Sequence, residues 1–237
     1  MELGTVDWEE RTKVLAEVLL VMVGAVLFAI SLRSAVLQWL IGSGFVTASE
    51  SSEQLVSALL QSLGFGVVIL WYLTAVREER VVQWRVPYAG DIGFIIAGAV
   101  VLIGASYGLD TVFSIFDISR ATNPAVEVGD GNPGYLLTMV IVSILVVAPA
   151  EELLFRGVVQ SRLRESWGAW PAIILATTLF GLLHLFGIRY IVSAAILGVL
   201  LGYLYERTDN IVVPIIVHGV NNAVIFASLY LREIGVL

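Results

Sequence analysis

The chain has 237 residues, of which 58% are hydrophobic and 14% charged, with 13 Lys or Arg against 20 Asp or Glu for a net charge of −7. A water-soluble domain carries about 25% charged residues, so this composition excludes an ordinary soluble fold, and the acidic balance excludes a basic nucleic-acid-binding face. Cysteine is absent, which removes disulfides, thiol nucleophiles and cysteine-held zinc or iron–sulfur centres.

Seven apolar runs approach or reach the length that crosses a hydrocarbon core of about 30 Å. In chain order they are 14–32, 55–76, 92–109, 135–163, 169–186, 190–205 and 211–231. The stretch 35–46 is apolar but short, an interfacial or re-entrant piece that would make an eighth element. Backbone polar groups in lipid must pair within their own segment, which calls for helices. A barrel would need alternating segments of about 10 residues instead. The expected fold class is therefore an all-α polytopic membrane protein, a bundle of 7–8 transmembrane helices enclosing a polar intramembrane cavity, with residues 1–237 as a single integral membrane domain. The N-terminal segment lacks the basic stretch of a secretory signal, so the first run is expected to be retained. With the N-terminus in the cytoplasm, the inner side holds Arg11, Lys13, Arg77, Arg80, Arg85, Arg162, Arg164 and Arg207, and the outer side only Arg33, Arg120, Arg189 and Arg232. That asymmetry favours a cytoplasmic N-terminus in a multi-pass protein of the cell membrane.

Three polar clusters interrupt the last four runs. The first is Pro149-Ala150-Glu151-Glu152 followed by Arg156. Each charge near the bilayer centre costs about 2.5–3.5 kcal/mol on insertion scales, so such groups need partners or a wet cavity. Glu152 and Arg156 are four apart and share a helix face, the spacing of an ion pair. Glu151 is rotated about 100° from Glu152 and has no counter-ion on its own helix, which makes it the candidate for proton transfer. Pro149 removes a backbone hydrogen bond just before the pair. The second cluster is Phe180-Gly181-Leu182-Leu183-His184. The third is His218-Gly219-Val220-Asn221-Asn222, in which His218 and Asn222 are four apart. Counted along their helices at 1.5 Å per residue, Glu151 and His184 both lie about 20 Å from the same membrane side, and His218 one to two turns in. The groups are therefore expected to meet in one cavity.

A carboxylate beside a histidine activates water as a general base, and a histidine beside an asparagine amide donates to a developing oxyanion. Together they describe a hydrolase without a covalent nucleophile. No His-Glu-x-x-His helix is present. Gly104-Ala105-Ser106-Tyr107-Gly108 matches G-x-S-x-G, but that pattern needs a strand–turn–helix elbow. Here it falls inside an apolar helix, where small residues favour close packing.

The ordered set Glu-Glu-x-x-x-Arg, Phe-x-x-x-His and His-x-x-x-Asn resembles the CPBP family over about 149–222. That family comprises the CAAX prenyl endopeptidases of the Ras-converting type and their bacterial and archaeal relatives, also called Abi proteins. The resemblance implies a glutamate-dependent intramembrane endopeptidase. In it Glu151 with His184 activates the attacking water, His218 and Asn222 form the oxyanion site, and Glu152 and Arg156 hold the first motif in place. The implied partners are the lipid bilayer and a protein or peptide substrate, prenylated or otherwise membrane-anchored. Zinc bound through Glu151, His184 and His218 is open to these residue types, but the absence of cysteine and of a His-Glu-x-x-His helix favours a site without cofactor. Two other functions compete. One is a non-enzymatic scaffold or immunity protein that keeps the motifs for structure. The other is a proton-coupled transporter, disfavoured because no internal repeat or pair of broken helices is visible.

Overall fold

The computed structural model describes residues 7–77, 82–118, 124–184 and 187–237. The first six residues, Arg80, Arg120 and the last two residues of the 169–186 run lie outside this set. Every described element is helical. Helix α1 spans Trp8–Gly42, α2 Glu50–Val76 and α3 Ala89–Ile115; a single turn, α4, covers Pro124–Glu127. Helix α5 runs Pro133–Trp167, α6 Ala169–Leu182, α7 Ile188–Thr208 and α8 Val212–Glu233. Six of these, α1, α2, α3, α5, α7 and α8, are long and apolar enough to cross a membrane. The protein is a multi-pass membrane protein.

Two expectations about the spans change. The stretch 35–46 is not a separate element, because α1 continues through it to Gly42 as one 35-residue helix. The charge at Arg33 does not end that helix, since its Nε donates to Ser57 Oγ on α2 at 2.9 Å. The run beginning at Ala169 is helical for 14 residues, about 21 Å at 1.5 Å per residue, and falls short of the full core thickness.

The starts of the long helices are written locally. Asp7 Oδ1 accepts from the Glu10 amide, Ser49 Oγ from Ser52 and Asn132 Oδ1 from Tyr135, and Pro133 fills the first turn of α5. Packing then follows the helical period. Val14, Val18, Val21, Met22, Ala25 and Ala29 form one buried stripe on α1, joined by Phe65, Ile69 and Tyr72 of α2 and by Leu154, Phe155 and Val158 of α5. The opposite faces are apolar as well: Leu20, Leu27, Leu63, Leu70, Ile96, Val100, Ile141 and Leu145 are exposed. An apolar exterior around a packed core is the pattern of a bundle solvated by lipid.

Several of the cations assigned to the inner side from the sequence meet at one end of the bundle. Arg162 pairs with Glu17 at 2.9 Å, Arg77 with Glu165 at 2.7 Å and Arg164 with Glu206 at 3.2 Å, while Arg11 Nε donates to the Ser166 carbonyl. At the same end Arg85, in the connection before α3, pairs with Asp91 and donates to the Thr208 carbonyl. Hydrogen bonding to Asp91 raises the Arg85 pKa above its ordinary value.

Close approach of α1 and α2 depends on Gly64. A Cβ there would lie 2.6 Å from Ala29 Cα, a backbone atom that cannot rotate away. Gly64→Ala is expected to lower stability by about 1–3 kcal/mol through overpacking, read as a lower Tm of the detergent-solubilised protein. Gly66→Ala, where nothing lies within 4 Å, is the matched control and should leave Tm unchanged.

Candidate active site

The first polar cluster sits where α5 departs from regular α geometry. Wide π turns occupy Ser143–Val147 and Leu153–Gln160, flanking the ordinary turn Ala148–Glu152. Ser143 Oγ bonds the Met139 carbonyl, and Pro149 has no amide to donate, so the ladder is loosened just before the carboxylates. A π turn inserts a residue and re-aims the side chains around it.

Glu152 and Arg156 are both fully buried, 0% and 1% exposed. Arg156 Nη1 donates to Glu152 Oε1 at 2.8 Å. Its Nη2 donates to the Gly198 carbonyl on α7 at 3.1 Å, and its guanidinium lies 5.2 Å from the Phe180 ring centroid. The same Glu152 Oε1 stands 2.7 Å from His218 Nδ1. One carboxylate oxygen thus ties together α5 and α8, and the arginine extends the tie to α7. With Nδ1–H donated to Glu152, the ring is fixed in orientation and Nε2 faces away from that carboxylate. Nε2 is 3.8 Å from Glu151 Oε2.

Glu151 differs from its neighbour. Its side chain retains 14% exposure and borders a cavity of about 530 Å³. His184, His218 and Asn222 border the same cavity. His184 Nδ1 is 2.8 Å from the Phe180 carbonyl one turn back, which leaves Nε2 as the free ring nitrogen when Nδ1 carries the proton. Its ring packs against Phe180 at 4.4 Å and stacks over Tyr190 at 6.1 Å. Asn222 accepts at Oδ1 from Asn221 Nδ2 at 3.4 Å, leaving its own amide N–H₂ to donate. The four residues singled out in the sequence therefore line one space, with Glu151 Oε2 3.8 Å from His218 Nε2.

Zinc held by Glu151, His184 and His218 must be withdrawn. Among the described residues no group of three or more His, Cys, Asp or Glu side chains is arranged to hold a metal ion. The apolar Phe180 ring packs against both imidazoles, 4.4 Å from His184 and 6.2 Å from His218.

Sequence reasoning overlooked several groups. Gln160, fully buried one turn beyond Arg156, donates to the Gly202 carbonyl at 3.0 Å and to Glu206 Oε1 at 2.8 Å. Arg156 and Gln160 on α5 thus grip Gly198 and Gly202 on α7. The signal was present as Gly198-x-x-x-Gly202, a small-residue spacing that lets helices approach. A Cβ at Gly202 would lie 2.7 Å from Gln160 Oε1. Arg189, counted from the sequence as an outer loop cation, is 9% exposed, pairs with Asp110 at 3.2 Å and lies over Phe113. Ser106 also lines the cavity, with its hydroxyl donated to the Leu102 carbonyl at 2.9 Å. The glycines around it, Gly104 and Gly108, have open space where a Cβ would go, so close packing does not explain them.

Comparison with known proteins places this cluster within a recognised region. Residues 133–224, less than half of the chain, match the Rce1-like family, described as Type II CAAX prenyl endopeptidase Rce1-like. Two proteins of Bacillus subtilis (strain 168) are similar. "Putative membrane peptidase YdiL" is 27% identical over 158 residues, covering 66% of this chain and 64% of its own. "Uncharacterized protein YpbD" is 35% identical over 91 residues, covering 38% of this chain and 45% of its own. The chain thus spans under two thirds of the length of each of these relatives. No solved structure matches it significantly. The stretch 133–224 carries a Rce1-like domain, and it contains Glu151, Glu152, Arg156, His184, His218 and Asn222.

Proposed function

We propose that the protein is an intramembrane endopeptidase that hydrolyses a peptide bond with water activated by glutamate and histidine, and that its residues form one integral membrane domain around a polar cavity. The observation that carries this reading is the pair of adjacent carboxylates with separate surroundings. Glu152 is sealed between Arg156 and His218, while Glu151 faces the cavity that His184, His218 and Asn222 also line. A buried charge at an accessible cavity wall is costly to keep, and in a membrane bundle it marks a functional site.

In this mechanism Glu151, assisted by His184 Nε2, takes a proton from water as its oxygen attacks the scissile carbonyl carbon. The tetrahedral oxyanion accepts hydrogen bonds from Asn222 Nδ2 and from Nε2–H of a doubly protonated His218 ring, whose Nδ1–H is donated to Glu152. Collapse breaks the C–N bond, and the proton held by Glu151 passes to the departing amine. Glu152 and Arg156 take no part in proton transfer and fix the His218 ring. The substrate is a membrane-anchored protein or peptide, prenylated in the manner of the family's named substrates, and the N-terminus faces the cytoplasm as the cation asymmetry requires.

The test is cleavage of an alkyl-anchored peptide library by the purified chain in proteoliposomes, followed by mass spectrometry. Undiminished cleavage by Glu151→Ala would overturn the proposal, and so would the absence of any cleavage by the parent protein. A second measurement isolates the oxyanion role. Asn222→Ala is expected to lower kcat by about 10²- to 10³-fold with little change in KM, whereas a purely structural asparagine would lower Tm and leave kcat per folded molecule intact.

A further inference from the structure

The cavity extends beyond the catalytic cluster to a face of α2, outside the stretch 133–224. Gln54, Ser57 and Gln61 follow one another at three- and four-residue spacing, so they share that face, and all three line the cavity. Three polar side chains in register on a helix of a membrane bundle are unexpected, because lipid offers an amide no partner. Ser57 is accounted for: it is 5% exposed and accepts from Arg33 Nε. The two glutamines are not. Gln54 is half-buried and Gln61 exposed, and neither amide makes a hydrogen bond within the described residues. Helix α2 also packs against the Ala148–Glu152 turn, and Glu151 lines the same cavity as the two glutamines.

A glutamine amide offers one acceptor and two donors in a plane, the complement of a peptide unit. Gln54 and Gln61 are seven residues apart, about 10.5 Å along the helix. Three residues of extended chain span about 10 Å. Two amides at that separation match peptide groups three residues apart on a strand lying along α2. We propose that this face of α2 is the strip on which the peptide substrate is held extended, with Gln54 and Gln61 hydrogen-bonding its backbone and so positioning the scissile bond against Glu151. The proposal rests on the endopeptidase reading and names the substrate-holding surface of that site. Recognition through the backbone implies tolerance of side-chain sequence on the strip.

The test uses full-length protein carrying Glu151→Gln, so that nothing is cleaved, in detergent micelles. Two probes are compared: fluorescent alkyl-anchored decapeptides randomised in sequence, and the same mixture with N-methylated backbone amides. The parent is expected to bind the unmethylated mixture about 10-fold more tightly, and Gln54→Leu/Gln61→Leu should abolish the difference. Leucine suits a membrane helix, so Tm should hold or rise; a structural role for the glutamines would lower it. Equal binding of the two mixtures, no binding of either, or a ratio that survives the double substitution overturns the strip. Cleavage is measured separately with Glu151 intact. There, loss of all cleavage alongside glutamine-dependent binding would sink the protease reading and leave the strip standing. Intact cleavage with a raised KM and unchanged kcat in the double variant supports both.

Discussion

Replacing Glu151 with glutamine should lower kcat by about 10²- to 10⁴-fold, the contribution typical of a positioned general base, while Tm stays within the error of the parent. The substitution keeps the shape of the side chain and removes only its capacity to take a proton. Among the described residues the Glu151 carboxylate makes no hydrogen bond: the close buried pair is formed by Glu152, and His218 Nε2 stands 3.8 Å from Glu151, beyond hydrogen-bond distance. The informative comparison is with Glu152→Gln, one residue away. That change should lower both Tm and kcat, because Glu152 Oε1 accepts from both Arg156 and His218. If the two glutamine variants lost equal activity with equal loss of Tm, the separation into a working and a supporting carboxylate would be wrong.

Arg156→Ala should destabilise the bundle by about 3–5 kcal/mol, because removing one member of a buried pair strands the other. The carboxylate left behind is fully buried, and one of its oxygens already lacks a hydrogen-bond partner. The truncation also removes the donor to the Gly198 carbonyl and the cation beside Phe180. The double change Glu152→Gln/Arg156→Ala, set against each single change, tests the origin of the loss. If the stranded charge dominates, the double variant should be more stable than Arg156→Ala alone, and the two effects should be non-additive. Thermal or denaturant unfolding in detergent measures all three. An additive result would assign the stability to packing of the arginine stem instead.

What the sequence made legible were relations inside one helix. The Glu152–Arg156 pair follows from a spacing of four, and the separation of Glu151 from Glu152 follows from 100° per residue. What it hid were relations between helices. Nothing local says that Glu152 Oε1 reaches a histidine 66 positions away, or that Glu151, His184 and His218 are not gathered as a zinc triad. The run 14–32 and the short stretch 35–46 proved to be one helix, in which Arg33 finds its partner in Ser57 on the neighbouring helix. The fifth apolar run was read as a full crossing because its hydrophobicity continues past the point where the helix stops at Leu182.

The position of the buried ion pair has a bearing on how the chain enters the membrane. During synthesis α5 emerges before α7 and α8 exist, and at about 5–20 residues per second the 62 residues from Arg156 to His218 take several seconds to follow. A helix presenting an unpaired guanidinium during that wait would be held back at the insertion stage. Arg156 and Glu152 lie one turn apart on the same helix, so their charges neutralise each other as soon as the turn forms, with no later segment required. Among the described residues Glu151 has no hydrogen-bonded companion on its own helix, and the ring nitrogen 3.8 Å from it, His218 Nε2, arrives only with α8. Of the three charges, the one assigned to chemistry is the one whose topogenesis depends on the last helix, so a nascent chain truncated before His218 should insert α5 poorly, and Glu151→Gln should restore that insertion.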